Sequence, residues 1–339
     1  MKGAAAVKPG EVGIIEFAEP DAHADDIILT TSACGICATD LKLVHKGADD
    51  PRFALGHELC GVITKASASL AWQVGQRVVV CPYLPCGECF YCRHDQPTLC
   101  SHLFESSIMP GALAERVLVP FALAKGGMFA VPDGLPDEIA ALSEPLGCVL
   151  NGLDDAHFTA GDNLLVIGDG PMGQLAAAAG RTLGAAQVIM SGMTPHRLAI
   201  AAELYADHVI DVSNEDLRKQ LNALMNGRGV DVVLVTVSSG ETLAQGIDVV
   251  RPGGYVNAFA GVPGGTEICL DVRKLHYQQY HLTGSFGVDP FHMKKALGEL
   301  EKNPDTYARI ITASYPFSQV AEAITYIEQR VGLKAVVKF

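Results

Sequence analysis

The chain has 339 residues, 49% of them hydrophobic and 19% charged, with a formal net charge of −13. Its length exceeds what one hydrophobic core usually serves and predicts two domains, while an acidic balance without clustered Lys and Arg excludes the phosphate neutralisation that nucleic-acid binding needs. No apolar run reaches the roughly 18 residues of a membrane span, and the opening "MKGAAAVKPGEVG" lacks the apolar stretch of a secretory signal, so a cytoplasmic globular protein is expected.

In chain order, the first 150 or so residues are irregular, with short β-branched runs such as "GVIT" and "RVVVCPY" between Gly and Pro, as in a β-rich domain. The character changes at "DNLLVIGDGPMGQLAAAAGRTLGA", which reads as strand, Gly-rich turn and Ala-rich helix, with "AQVIMSG" as the next strand. Strands at "HVIDV", "GVDVVLVTV", "GGYVNAFAG" and "YHLTGSF" follow, with helical stretches at 194–206, 215–225 and 241–250 between most of them. Apolar strands alternating with helices predict an α/β, doubly wound parallel sheet. After about 288, "FHMKKALGELEKN" and "FSQVAEAITYIEQRV" read as amphipathic helices and "KAVVKF" as a last strand. That tail is too short to stand alone and should pack back on the first domain.

Ten cysteines without a secretory signal point to metal binding before disulfides. Cys86, Cys89, Cys92 and Cys100 in "CGECFYCRHDQPTLC" can close a tetrahedral zinc shell that leaves no position for substrate. Packed thiols or an iron–sulfur cluster are the alternatives. A second constellation is dispersed over "CGICATD", "GHELCG" and "LSEPLGC". Singly, Cys37 is a small core side chain, His57 a hydrogen-bonded loop histidine and Glu58 a solvated carboxylate. Together, a thiolate, an imidazole and one or two carboxylates make an open zinc shell whose remaining position takes water or a substrate oxygen. With Zn²⁺, one thiolate, one neutral imidazole and one carboxylate sum to zero charge, which favours Lewis-acid work.

Gly168, Gly170 and Gly173 of "VIGDGPMG" form G-x-G-x-x-G directly after an apolar strand and at a helix start, the context in which backbone N–H groups cradle a dinucleotide pyrophosphate. Pro171 and Met172 complete that turn. NAD sites normally place an Asp or Glu at the end of the second strand, yet no acidic residue occurs between Asp169 and Glu203. Gly192 and Met193, with Thr194, His196 and Arg197 following, leave room and positive charge for a 2′-phosphate, so NADP(H) is favoured over NAD(H).

"GICATD", "GHELCG", the four-cysteine loop, "GALAERVLVP", "SEPLG" and "VIGDGPMG" occur here in the order found in the zinc-dependent medium-chain dehydrogenase/reductase family, which the chain resembles along essentially its whole length. The resemblance implies a GroES-like catalytic domain, over 1–152 and 288–339, and a Rossmann domain over 153–287. It is nearest to the sorbitol (polyol) dehydrogenase branch, because Glu144 stands where alcohol dehydrogenases have a cysteine ligand. Carried over by motif, Cys37, His57 and Glu58 ligate the catalytic zinc, with Glu144 either a ligand or the holder of zinc-bound water. Cys34 reads as packing. Thr39 matches the family's proton-relay hydroxyl, and Asp40 either caps the following helix or orients His57. Phe286 falls beside the nicotinamide site.

The implied activity is interconversion of a secondary alcohol and its ketone by hydride transfer to or from NAD(P), in a dimer or tetramer. "FGV" at 286–288 departs from sorbitol dehydrogenase, which carries an arginine and an aromatic there. The substrate could then be another sugar alcohol, a cyclitol, a phosphorylated polyol or a less polar alcohol. Lys42, His45, Arg52, Glu105 and Arg116 could contact it or be plain surface. Rival readings are a zinc-free quinone or enoyl reductase of the same superfamily and a non-catalytic NADP(H)-binding protein.

Overall fold

The computed structural model describes residues 1–47 and 53–339; Arg52 therefore lies outside the described residues. The chain divides into two units, Met1–Gly147 with Val288–Phe339, and Cys148–Gly287.

The first unit opens with an antiparallel pair, β1 (Lys2–Lys8) and β2 (Glu11–Glu16). Then come β3 (Ile27–Gly35), α1 (Ala38–Lys46), β4 (Glu58–Lys65), β5 (Arg77–Val80), β6 (Arg116–Val119), α2 (Phe121–Gly126), β7 (Met128–Ala130) and α3 (Asp137–Ala140). Helix α4 (Ser143–Asp155) carries the chain into the second unit. β3 and β4 are antiparallel, and their register sets Gly35 opposite Glu58. A Cβ on residue 35 would lie 1.8 Å from Glu58 Oε2, so only glycine lets that carboxylate fold down against β3.

The second unit contains β8 (Asn163–Ile167), α5 (Pro171–Thr182), β9 (Gln187–Gly192), α6 (Pro195–Leu204), β10 (His208–Asp211), α7 (Leu217–Leu224), β11 (Val230–Val235), α8 (Gly240–Val249), β12 (Val250–Ala258), α9 (Val272–Gln278) and β13 (His281–Gly284). Among the described residues these strands make one parallel sheet in the order β10-β9-β8-β11-β12-β13. All six residues of β11 are buried, which explains why all but Asp231 are apolar. The order reverses between β8 and β11, and such a switch point is where open α/β sheets bind ligands.

Two helices start later than periodicity alone suggests, while α8 starts one residue earlier, at Gly240. α6 begins at Pro195, whose missing N–H costs nothing in a first turn, and α7 begins after Asp216, whose carboxylate accepts the Lys219 N–H at 2.7 Å.

The chain then re-enters the first unit with α10 (Pro290–Lys302), α11 (Pro304–Ala308), β14 (Ile311–Pro316), α12 (Val320–Glu328) and β15 (Lys334–Lys338). Among the described residues the large sheet of this unit runs β14-β15-β3-β4-β5-β7, with β6 also pairing β3. The last strand is therefore interior, parallel to β14 and antiparallel to β3.

Candidate metal centres and dinucleotide site

The four sulfurs of Cys86, Cys89, Cys92 and Cys100 lie within 4.8 Å of one another. Four thiolates about 2.3 Å from a tetrahedral zinc stand about 3.8 Å apart. The Cys89–Cys100 and Cys86–Cys92 separations are 3.8 and 4.0 Å, so the loop fits that shell with little adjustment. Backbone N–H groups of Cys86 and His102 donate to Cys100 Sγ, and that of Cys89 to Cys86 Sγ, each at 3.3 Å. Such bonds favour thiolate over thiol. Backbone hydrogen bonds from Cys92 and Ser101 draw Cys89 down to about 6, whereas desolvation in the crowded group pushes Cys92 up to about 12.

The dispersed constellation also converges: one ligand atom each from Cys37, His57 and Glu58 lies within 4.8 Å of the other two. Cys37 is the N-cap of α1, two residues beyond β3, and Glu58 opens β4. Asp40, fully buried, ties the two segments together by accepting the Cys37 N–H at 2.9 Å and the Gly56 N–H at 2.8 Å. Its carboxylate stands 3.9 Å from His57 Nδ1, too far for a hydrogen bond. Asp40 is thus a helix-end and loop anchor that acts on His57 through charge.

Glu58 is 0% exposed and holds the ammonium of Lys334, itself 2% exposed, through Oε1. Its Oε2 is buried without a hydrogen-bond partner among the described residues. Glu144, buried in the first turn of α4, is not among the three converging side chains but acts on both His57 and Lys334 through charge. Burial pulls the His57 imidazolium pKa down, yet the Cys37 hydrogen bond and the charges of Asp40 and Glu144 outweigh it and raise the value well above the usual range. Burial likewise opposes charge on Lys334, and Glu58 more than restores it.

Two carboxylates, Glu58 and Glu144, and the Cys37 sulfur therefore act on one ammonium, and a third carboxylate, Asp40, acts on His57. That acidic excess, with a buried Glu58 oxygen lacking a hydrogen-bond partner and a thiol and an imidazole nearby, fits a divalent cation.

Thr39 is exposed, with Oγ1 3.8 Å from Cys37 Sγ. Cys34 is fully buried and its Sγ donates to the Gly35 carbonyl, a packing role. A cavity of about 500 Å³ opens beside His57, walled by Leu43, Phe53, Leu55, Tyr83, Phe104 and Ile108 among others. Val288 is buried, and its N–H donates to Tyr83 Oη at 3.1 Å. Three of the charged residues considered for substrate contact are in ion pairs. His45 pairs with Glu328, Glu105 with His102 and Arg116 with Glu19, while Lys42 is exposed.

In the second unit the Gly-rich turn links β8 to α5. Gly168 has φ +120°, and a Cβ on Gly173 would lie 1.9 Å from the Gly168 carbonyl oxygen, so both positions need glycine. A Cβ on Gly170 would meet nothing within 4 Å, which leaves the backbone N–H groups at the start of α5 open to an anion. Pro171 and Met172 form the first turn of α5 and Gly192 ends β9. Met193 is exposed, Thr194 caps α6, Arg197 is only 7% exposed and Phe286 stands exposed after β13.

Three residues passed over in the sequence matter to these sites. Lys334 lies 276 positions from Glu58, with no local signal except a lysine inside an apolar terminal strand. Gln174, fully buried, donates to the Arg197 carbonyl at 2.9 Å and ties α5 to α6. Asp169 fills the room expected beside Gly192 for a 2′-phosphate: its Oδ2 accepts the N–H groups of Met193 at 2.9 Å and Thr194 at 2.7 Å. The signal for it was an acid inside the Gly-rich turn together with no acid after β9.

Family models described as alcohol dehydrogenase GroES-like domain and zinc-binding dehydrogenase match residues 23–133 and 171–302. The chain is 29% identical to D-arabitol-phosphate dehydrogenase of Enterococcus avium, over 100% of this chain and 97% of that one. It is 30% identical to sorbitol dehydrogenase of Bacillus subtilis, over 84% of this chain and 82% of that one. Among solved structures it superposes with a TM-score of 0.89, at 27% identity and over 100% and 99% of the two chains, on a protein of Sinorhizobium meliloti 1021 described as a zinc-binding dehydrogenase bound to NADP. The chain belongs to the zinc-dependent medium-chain dehydrogenase/reductase family, in its polyol dehydrogenase-like branch. It is accordingly a dehydrogenase acting on alcohol groups.

Proposed function

We propose that the protein interconverts a secondary alcohol of a polyol, sugar alcohol, cyclitol or polyol phosphate and its ketone, with zinc and a nicotinamide dinucleotide as cofactors. The observation that carries this reading is the convergence of Cys37, His57 and Glu58. The relatives named for arabitol phosphate and sorbitol support the substrate class.

When bound, zinc supplies Lewis acidity to the alcohol oxygen and the nicotinamide exchanges hydride with the carbinol carbon. Cys37, His57 and Glu58 would hold the metal, with Glu144 as a further ligand or as the acceptor for a water beside it. Asp40 fixes the backbone on which Cys37 sits and adds negative charge near His57. Lys334 offsets the charge of Glu58 by holding one of its carboxylate oxygens. Thr39 is the proton carrier in this reading, its exposed hydroxyl close to Cys37 providing a route to solvent. Cys86, Cys89, Cys92 and Cys100 would hold a second, purely structural zinc.

For the dinucleotide, Gly168, Gly170, Pro171, Met172 and Gly173 would cradle the pyrophosphate, with Gly192, Met193, Thr194 and Arg197 around the adenosine ribose and Phe286 near the nicotinamide. The missing acid after β9 and the NADP-bound relative support NADP(H); the position of Asp169 argues the other way. A cytoplasmic dimer or tetramer completes the reading, supported by family resemblance. Among the described residues no helix is long and apolar enough to cross a membrane.

The test is metal analysis combined with a polyol and polyol-phosphate panel, scored by dinucleotide reduction and ketone identification. Zinc near two per chain with ketone formed supports the proposal. One zinc and no turnover would favour the non-catalytic dinucleotide binder, and turnover of quinones or enones without zinc the zinc-free reductase.

A further inference from the structure

We propose that Asp169 sets coenzyme choice, selecting NAD(H) and rejecting NADP(H) by occupying the anion seat that a 2′-phosphate would need. The inference rests on the reading of this turn as a nicotinamide-dinucleotide site.

NAD enzymes of this architecture take the adenosine ribose hydroxyls with an acid at the end of the second strand. Here that position is Gly192, which by itself suggests a vacancy for phosphate. The vacancy is filled. Asp169, the second residue of the Gly-rich turn, is 8% exposed, and its Oδ2 accepts two backbone N–H groups, Met193 at 2.9 Å and Thr194 at 2.7 Å. Its Oδ1 lies 3.4 Å from Thr194 Oγ1. A Cβ on residue 192 would stand 2.3 Å from Oδ2. Gly192 is thus what admits the carboxylate, and the missing acid of β9 is supplied from the opposite side of the same crevice.

The electrostatics then oppose a phosphate. Two backbone N–H groups and a hydroxyl converging after β9 are suitable donors for a 2′-phosphate, and a carboxylate already holds them. A phosphate dianion must either sit against that carboxylate or expel it, leaving a nearly buried charge without donors. Ribose hydroxyls meet no such obstacle. An ionised carboxylate offers about four acceptor sites, and Asp169 spends two on backbone N–H groups and one on a long contact to Thr194, so Oδ1 can still accept from a 2′-hydroxyl.

The experiment is direct titration of the full-length zinc-loaded protein with NADH and NADPH at fixed ionic strength, followed by nicotinamide fluorescence without substrate. The wild type should bind NADH at least about tenfold more tightly than NADPH. Asp169→Asn, close in volume and lacking the charge, should bring the two constants to within about threefold of each other, and Asp169→Ala should do the same or invert them. Gly192→Ala, which displaces the carboxylate without deleting it, should shift the ratio in the same direction. NADPH binding as tightly as NADH in the wild type overturns the proposal but leaves the dinucleotide reading intact. Failure of the wild type to bind either coenzyme overturns both. An unchanged preference in a variant whose melting curve shows it folded removes Asp169 as the cause; should a variant unfold, the wild-type ratio still decides coenzyme choice and Gly192→Ala its origin.

Discussion

The two cysteine-bearing clusters of the first unit draw on the same ligand chemistry under opposite conditions. The four-cysteine loop gathers its donors from one short, largely exposed stretch, Cys86 to Cys100, and holds them with backbone N–H groups of the same loop. The Cys37, His57 and Glu58 cluster draws on the end of β3, the loop before β4 and the last strand of the sheet, and brings a fully buried carboxylate with it. A closed thiolate shell needs only local chain closure. An open shell with a buried carboxylate needs a counter-charge, and the fold delivers it from 276 residues away.

The contrast breaks most plainly at the proposed catalytic ligands. Cys37→Ser or His57→Ala should lower turnover by about 10³-fold or more, a loss of about 4 kcal/mol in transition-state stabilisation, while the dinucleotide Kd stays within about twofold. Steady-state kinetics beside a fluorescence titration checks this; joint loss of both would indicate unfolding. At the loop, Cys100→Ser should act on stability instead. It should release one zinc and lower Tm by about 10 °C or more, since structural zinc sites contribute folding energy outright. Retention of both the metal and the melting temperature would show that the loop needs no ion.

A finer probe is Lys334→Ala, which strands Glu58 in the interior. It should cost about 3–5 kcal/mol in urea unfolding of the metal-free protein, and added zinc should recover part of the loss by giving Glu58 a cation. Equal stability of variant and wild type without zinc would remove Lys334 from the account.

The smallest effect belongs to a charged group of the second unit. Asp231 is 7% exposed, accepts from the backbone and side chain of Asn163 at 2.8 and 2.7 Å, and pairs with Arg251. Burial raises its pKa, but these donors outweigh burial and lower it below the ordinary value. A depressed folded-state pKa contributes stability above the unfolded value, near 3.9, and loses it as pH falls through the folded one. Asp231→Asn should therefore cost about 2 kcal/mol at neutral pH and progressively less in acid below about pH 4, as thermal melts across pH would show.

What could be read from the chain tracks how local each feature is. The four cysteines, the glycines of the β8–α5 turn and the alternating strands of the parallel sheet announce themselves because donors, turns or burial repeat within a few residues. Cys37, His57 and Glu58 were legible only as a combination, since each alone has an ordinary structural explanation. Lys334 could not be read, because a lysine in an apolar strand says nothing about the carboxylate opposite. Asp169 sat in plain view inside a glycine pattern whose middle positions are normally ignored. Its meaning depends on Gly192, which reads as a vacancy until the backbone brings the two together.

The interior position of β15 has a temporal consequence. The strand that lies against β3 and carries the partner of Glu58 leaves the ribosome only after the whole Cys148–Gly287 unit has been made. The parallel sheet can form before β15 exists, whereas the Cys37, His57 and Glu58 cluster gains its counter-charge only once Lys334 has been made. A polypeptide stopped before β15 would therefore have its parallel sheet but lack the ammonium that offsets Glu58.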